Sequence, residues 1–320
     1  VRTATTALAA LALAACAHEG DDAMTAEASC AERAFSFADV EGARLHYRLE
    51  GTRTDGRPVV VLHGAYANLC DPALAFLPRM AEDRRVLLVD RPGLGRSTRP
   101  KDGADPRVQA RLARALAADL GLEDPIVLGH SYGGAVALAY GLDTVERPDA
   151  GAGASGLLLL APVSHVWPGG VNWWNDVSAT PLLGFLFRRT VVPLIGPVMV
   201  RNAVASDVLP PDYAERTDPG SFLRPRVFRN NAEDLVRLKP IIAEMAPRYA
   251  SLSMPIEIRA GRDDETVYTE IHARRLAEDA PDARLQVYDG VGHLIHYART
   301  DEVFAALRSL DARVAEASGD

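Results

Sequence analysis

The feature that most constrains this chain is a series of short apolar runs. Val59-Val60-Val61-Leu62, Val86-Leu87-Leu88-Val89 and Ile126-Val127-Leu128 are unbroken by any polar residue, and residues 157–160, 256–258 and 285–288 are read as further strands. A strand with one wet face alternates apolar and polar residues, whereas a continuous run implies that both faces are dry. Helical periodicity separates several of these runs. Val108, Leu112, Leu116 and Leu120 recur every fourth position, which places one apolar stripe on a helix ending near Gly121. Residues 135–140 continue a helix directly after Ser131, and residues 271–276 and 303–310 supply later ones. Residues 34–37 and 44–49 flank Glu41-Gly42 and read as a hairpin. Strands alternating with helices predict an α/β fold with a mostly parallel, doubly wound sheet.

One interval breaks the rhythm. Some ninety residues separate the strand ending near Pro162 from the one beginning near Pro255, and they hold all three tryptophans, Trp167, Trp173 and Trp174. The apolar stretches 181–187 and 191–200 lie here too, but Arg188-Arg189 and several prolines argue against a membrane span. Residues 165–251 are therefore expected to form a helical cap over the carboxyl edge of the sheet, where open α/β sheets bind ligands. Residues 34–164 and 252–316 form the core.

The N-terminus is read separately. Arg2 precedes an Ala-, Leu- and Thr-rich run over residues 3–15, which is too short to span a bilayer, a task needing about 20 residues. Leu13-Ala14-Ala15-Cys16 resembles the bacterial lipobox, in which cleavage before the cysteine precedes lipid attachment to its sulfur. Residues 1–15 are thus expected to be a lipoprotein signal, Cys16 the lipidated residue and residues 16–33 a tether. The protein would then be exported and anchored on the periplasmic side of a bacterial membrane, with Ala17 favouring the outer one. Export leaves Cys30 and Cys70 in an oxidising compartment. They either form a disulfide that stitches tether to domain, or remain one exposed and one buried thiol.

With 43 acidic against 35 basic residues the formal charge is −8, which removes the broad basic footprint of a nucleic-acid binder.

The chemistry is carried by three separated motifs. Gly129-His130-Ser131-Tyr132-Gly133-Gly134 stands between a buried strand and a helix. A serine hydroxyl is a weak nucleophile, so it must be exposed, held still and aimed at a base; a sharp strand-to-helix turn does this, and glycines let strand and helix approach closely. His63-Gly64-Ala65-Tyr66 follows an earlier strand. It can bring one of the two N–H donors that a tetrahedral oxyanion needs, from Ala65 (Tyr66 in second place), while the Tyr132 N–H supplies the other. His63 itself reads as a structural histidine. The third motif is split between Gly261-Arg262-Asp263-Asp264-Glu265-Thr266-Val267 and Gly290-Val291-Gly292-His293, each after a strand. His293 can act as base toward Ser131, with an acid behind it selecting the tautomer. His296 lacks the preceding glycine and is the weaker choice.

On these motifs, residues 34–310 resemble the α/β-hydrolase family. The order Ser131, acid, His293 is that family's chain order, and its GxxDxxV pattern falls on Gly261, Asp264 and Val267, picking Asp264 over Asp263. The run Asp90-Arg91-Pro92-Gly93-Leu94-Gly95-Arg96-Ser97 is similar to a family loop and reads as structural. Departures narrow the reaction. Family epoxide hydrolases and dehalogenases place Asp where Ser131 stands, and proline iminopeptidases carry His-Gly-Gly-Pro-Gly where this chain has His63-Gly64-Ala65-Tyr66-Ala67. The resemblance thus implies a serine hydrolase acting on a small hydrophobic carbonyl substrate, without metal or organic cofactor. Tyr66, Trp167, Trp173 and Trp174 are the candidate substrate-facing residues. Carbon–carbon bond hydrolysis on the same triad, and a lipid-anchored binding module without turnover, stand as alternatives.

Overall fold

The computed structural model describes residues 35–203 and 209–318. The expected signal, tether, Cys16 and Cys30 lie outside them. The chain opens with the hairpin strands β1 (Ser36–Val40) and β2 (Ala43–Glu50). Their connection is Glu41-Gly42, with φ of 44° and 82°, the doubly positive pair that a tight two-residue hairpin requires. Because the turn needs only those two residues, β1 runs up to Val40, three residues past the predicted end. There follow β3 (Val59–Leu62), α1 (Cys70–Met80), β4 (Val86–Val89), α2 (Pro106–Asp119), β5 (Ile126–His130), α3 (Tyr132–Glu146) and β6 (Gly156–Leu160). The cap interval holds α4 (Trp173–Ala179), α5 (Leu182–Thr190), α6 (Val192–Ala203), α7 (Tyr213–Thr217) and α8 (Pro225–Met245). The core resumes with β7 (Ile256–Gly261), α9 (Ala273–Asp279), β8 (Ala283–Tyr288), α10 (Ile295–Ala298) and α11 (Thr300–Ser318).

The eight strands form one sheet in the order β1-β2-β4-β3-β5-β6-β7-β8. β2 is antiparallel to both neighbours, and every pairing from β4 to β8 is parallel. The apolar runs are continuous because successive residues enter two different cores. Val60, Leu62, Val127, Leu157 and Leu159 pack on one side with α2, α3 and α8. Val59, Val61, Ile126, Leu128 and Leu158 pack on the other with α1 and α11. A single charged residue in such a run would lose water on whichever face it pointed to.

Helix α2 begins where its sequence says it should: the Asp105 carboxylate accepts from the Arg107 N–H at 2.8 Å, and Pro106 fills a first-turn position needing no N–H. It ends at Leu120, followed by Gly121 at φ 63°. Helix α1 is not marked by the periodicity, since Pro72 and Pro78 lie within it. Pro72 sits in the first turn, where no intrahelical N–H bond is lost, and Pro78 near the end. Cys70, the first residue of α1, is buried and disulfide-bonded.

Because β3 and β5 to β8 run parallel, the segments after them all emerge at one edge of the sheet. His63, Ser131, Asp264 and His293 follow β3, β5, β7 and β8, so topology alone brings four distant stretches of chain to a common rim.

Candidate active site

Ser131 stands at the junction of β5 and α3 with φ 56° and ψ −119°, a conformation that an L-residue adopts only when its surroundings force it. Here they do. The Ser131 N–H donates to Leu160 O at 2.9 Å, and its carbonyl accepts from the Gly134 and Val163 N–H groups at 2.9 and 3.1 Å. Space is equally tight: a Cβ at position 133 would collide with the Leu62 carbonyl, and one at 129 with the Gly133 carbonyl. The two glycines are what let α3 start this close to the sheet.

Asp264 and His293 meet: the His293 Nδ1 and Asp264 Oδ2 atoms are 2.7 Å apart. The carboxylate is almost wholly buried, and its other oxygen accepts from the Thr266 and Val267 N–H groups at 2.8 and 2.9 Å. Two backbone donors fix its orientation, so it can hold the imidazole with Nδ1 protonated and Nε2 free. Asp263, one residue earlier, is exposed. His293 is placed against the serine turn through His130. The two rings lie 4.8 Å apart, and His130 Nε2 is 3.1 Å from the His293 carbonyl.

The loop after β3 lies against the same turn. A Cβ at Gly64 would come within 3.2 Å of the Ser131 Cβ, so the Ala65 segment borders Ser131 directly. Among the described residues the Ala65 N–H has no hydrogen-bond acceptor, whereas the Tyr66 N–H donates to Asn231 Oδ1 at 2.9 Å. Tyr132 opens α3, so its N–H has no acceptor within the helix. The free donors are thus those of Ala65 and Tyr132. His63 has a structural role: Nδ1 donates to Gly64 O at 2.9 Å and Nε2 accepts from the Arg91 N–H at 3.1 Å. Burial, then the Arg91 charge, lower its pKa to about 4, so it is neutral at pH 7.

The loop beginning at Asp90 organises this wall. Asp90 accepts from the Leu69 and Arg96 N–H groups at 2.8 and 2.9 Å and faces His46 at 2.6 Å. Arg91, 1% exposed, donates to the His63 and Gly64 carbonyls at 2.8 and 3.0 Å and to Asp234 on α8 at 3.0 Å. Asn231 and Asp234 escaped the sequence reading, yet a signal was there. They interrupt the buried face that α8 otherwise forms with Val227, Leu238, Ile242 and Met245.

Of the aromatic candidates, Tyr66 and Trp174 pack against a cluster of Leu94 with Val192, Phe222 and Phe228 of the cap interval. The Tyr66 hydroxyl hydrogen-bonds the Asn175 side chain; burial pushes this phenol well above its ordinary value, against the opposing effect of Trp174. Trp167 packs toward His272, ring centroids 5.9 Å apart. Trp173 is 60% exposed and faces outward beside Phe187.

A second polar group lies behind the serine turn. Asp71, His130 and His296 are all buried, and they could offer a cation ligand atoms within 4.8 Å of one another. His296 Nε2 is 3.4 Å from Asp71, whose other oxygen accepts from the Tyr213 and Tyr297 hydroxyls at 3.1 Å. Burial raises the Asp71 pKa, but His296, His130 and Tyr213 outweigh it and leave the group at about 2. His296 therefore faces Asp71, with its ring centroid 4.6 Å from that of His130.

An elbow serine, a carboxylate-held histidine and two free N–H groups on one rim define an α/β protein with a hydrolytic type of site. The profile of the alpha/beta hydrolase family matches residues 59–306, and the chain belongs to that family. A proline iminopeptidase of Heyndrickxia coagulans is 38% identical over 107 residues, 32% of this chain and 36% of that one. The chain thus spans little more than a third of that relative's length. A 2-hydroxy-6-oxononadienedioate/2-hydroxy-6-oxononatrienedioate hydrolase of Comamonas testosteroni is 26% identical over 275 residues, 81% of this chain and 87% of the relative. Among solved structures, that of a putative epoxide hydrolase from Pseudomonas aeruginosa superposes with a TM-score of 0.68 at 21% identity, covering 88% of this chain and 97% of the other. That likeness establishes the fold.

Proposed function

We propose that this chain is a serine hydrolase that cleaves a hydrophobic ester-type carbonyl compound through an acyl-enzyme. The observation that carries the reading is the 2.7 Å contact between Asp264 and His293 beside a serine held at positive φ. His293 Nε2 takes the Ser131 proton as Oγ attacks the carbonyl carbon, and the oxyanion rests on the Ala65 and Tyr132 N–H groups. The alcohol leaves with the proton from His293. Water, deprotonated by the same imidazole, then releases the acid. Serine at position 131 argues against the alkyl-enzyme route of epoxide hydrolases. Replacing Ser131 by Ala tests the core of this reading, with p-nitrophenyl ester turnover and fluorophosphonate labelling both expected to vanish. Labelling that survives the substitution refutes it, and no turnover of any ester by the unaltered chain favours a binding module.

Carbon–carbon hydrolysis by the same residues is the second reading. It is favoured by the match to the 2-hydroxy-6-oxononadienedioate/2-hydroxy-6-oxononatrienedioate hydrolase, which aligns over 81% of this chain where the iminopeptidase match covers 32%. Product analysis separates the two, since a ketone or enol would leave in place of an alcohol. For location, the proposal is a lipoprotein held on the periplasmic side of a bacterial membrane through Cys16, with Cys30 paired to Cys70. Palmitate labelling lost on Cys16→Ser is the expected result.

A further inference from the structure

Helix α5 is built inside out. Its cationic Arg188 is buried, donating to the Ser178 carbonyl, and Gly184 packs where a side chain would strike the same carbonyl. Its leucines point the other way. Leu182 is 79% exposed, Leu183 68% and Leu186 59%, and Leu194 at the start of α6 is 78% exposed. Phe185 and Trp173 extend the same surface. Most exposed large hydrophobic residues of the described chain lie between Val166 and Val198, so the patch is a local feature of the cap.

Its charge points to one kind of partner. From Asp176 to Asp207 the sequence has no acidic residue between those two, but carries Arg188, Arg189 and Arg201, in a chain whose net charge is −8. The Arg189 guanidinium lies over the Phe185 ring at 4.8 Å, a cation at the rim of the apolar face. No helix among the described residues is long and apolar enough to cross a membrane. Exposed leucines beside an exposed tryptophan and the exposed Arg189, on a stretch from Val177 to Ser206 with no acidic residue of its own, are the composition of a surface that rests in an anionic lipid interface.

We infer that the α5–α6 face of the cap docks on an anionic lipid bilayer. The leucines enter the headgroup–acyl boundary, by about 5–10 Å for such helices, while Arg189 meets lipid phosphates. An apolar path leads inward from that face. Trp173 contacts Phe187 and Trp174, with ring centroids 5.7 and 6.1 Å apart, and Trp174 belongs to the cluster holding Tyr66, next to the Ala65 donor. The substrate class is then a membrane-borne acyl ester, a refinement that rests on the serine-hydrolase reading; the docking itself does not.

All three tryptophans lie in the cap, so intrinsic fluorescence reports on this face and not on the N-terminal segment. The full chain is mixed with vesicles of phosphatidylglycerol and phosphatidylcholine carrying brominated acyl chains. Expected are quenched, blue-shifted emission, weaker on pure phosphatidylcholine, and loss of quenching in Leu182→Ser/Leu186→Ser although that variant still sediments with the vesicles and turns over p-nitrophenyl acetate as before. Unquenched emission from the unaltered chain overturns the inference, as does equal quenching of the double variant. A dimer that the double variant dissociates, without lipid quenching in either, assigns the patch to self-association instead. Ser131→Ala should be quenched like the unaltered chain, so loss of turnover there bears on the hydrolase reading alone.

Discussion

The Arg91 guanidinium meets the Asp234 carboxylate at 3.0 Å with both side chains essentially out of water. This pair ties cap helix α8 to the loop that carries Ala65, since the same guanidinium holds the His63 and Gly64 carbonyls. The cap is thereby part of the wall of the site, and the ion pair is the place where the two can be uncoupled.

Arg91→Met should therefore cost about 3–5 kcal/mol, because it leaves a buried carboxylate and two carbonyls short of donors. Urea unfolding measures it. A loss below 1 kcal/mol would show that Arg99, the other cation on Asp234, suffices alone.

Ser131 carries backbone strain that a glycine would not. Ser131→Gly is expected to be more stable than Ser131→Ala by about 1 kcal/mol, since only glycine adopts this backbone geometry freely. Both variants should be inactive. Equal melting temperatures would mean the turn is not strained.

The two adjacent aspartates separate cleanly. Asp264→Asn is expected to lower kcat by about 10³–10⁴-fold, through loss of the acceptor that fixes the His293 tautomer. Asp263→Asn, exposed, should change stability by less than about 0.5 kcal/mol and leave kcat intact. The reverse order moves the acid to position 263.

Acid should destabilise the fold through His63. Folded, its pKa is about 4 against an ordinary 6.5, so between those values the unfolded chain binds a proton that the native state does not. Stability contributed by neutral His63 is thus present above pH 6.5, declines as pH falls toward 4 and amounts to about 3 kcal/mol. His272, also lowered to about 4 by burial, adds in the same direction. Urea titrations at pH 4.5 and 7.5 test the sign, and His63→Asn should flatten the slope whatever its effect on absolute stability.

Much of this was legible from residue order. Val59–Leu62 and Val86–Val89 fall on the predicted positions, because every residue of these two strands is buried and apolar. The serine turn was legible because its glycines are demanded by neighbours only a few residues away, or by the sheet itself. Helix α1 was hidden by prolines that the helix tolerates only at its ends. Asn231, Asp234 and Asp71 were hidden for another reason. Each is a buried polar group with hydrogen-bond partners far along the chain, and a partner 143 residues distant, as Arg91 is from Asp234, leaves no periodic trace.

The sequence by itself determined the strand–helix alternation, the parallel sheet and the elbow holding Ser131, since each follows from local burial periodicity and turn stereochemistry. Only the tertiary structure decided how closely Asp264 approaches His293, that Asn231 takes up the Tyr66 N–H and which face of the cap is left apolar and exposed. Those depend on distances between segments that adjacency in the chain does not encode, and on which buried groups find a partner.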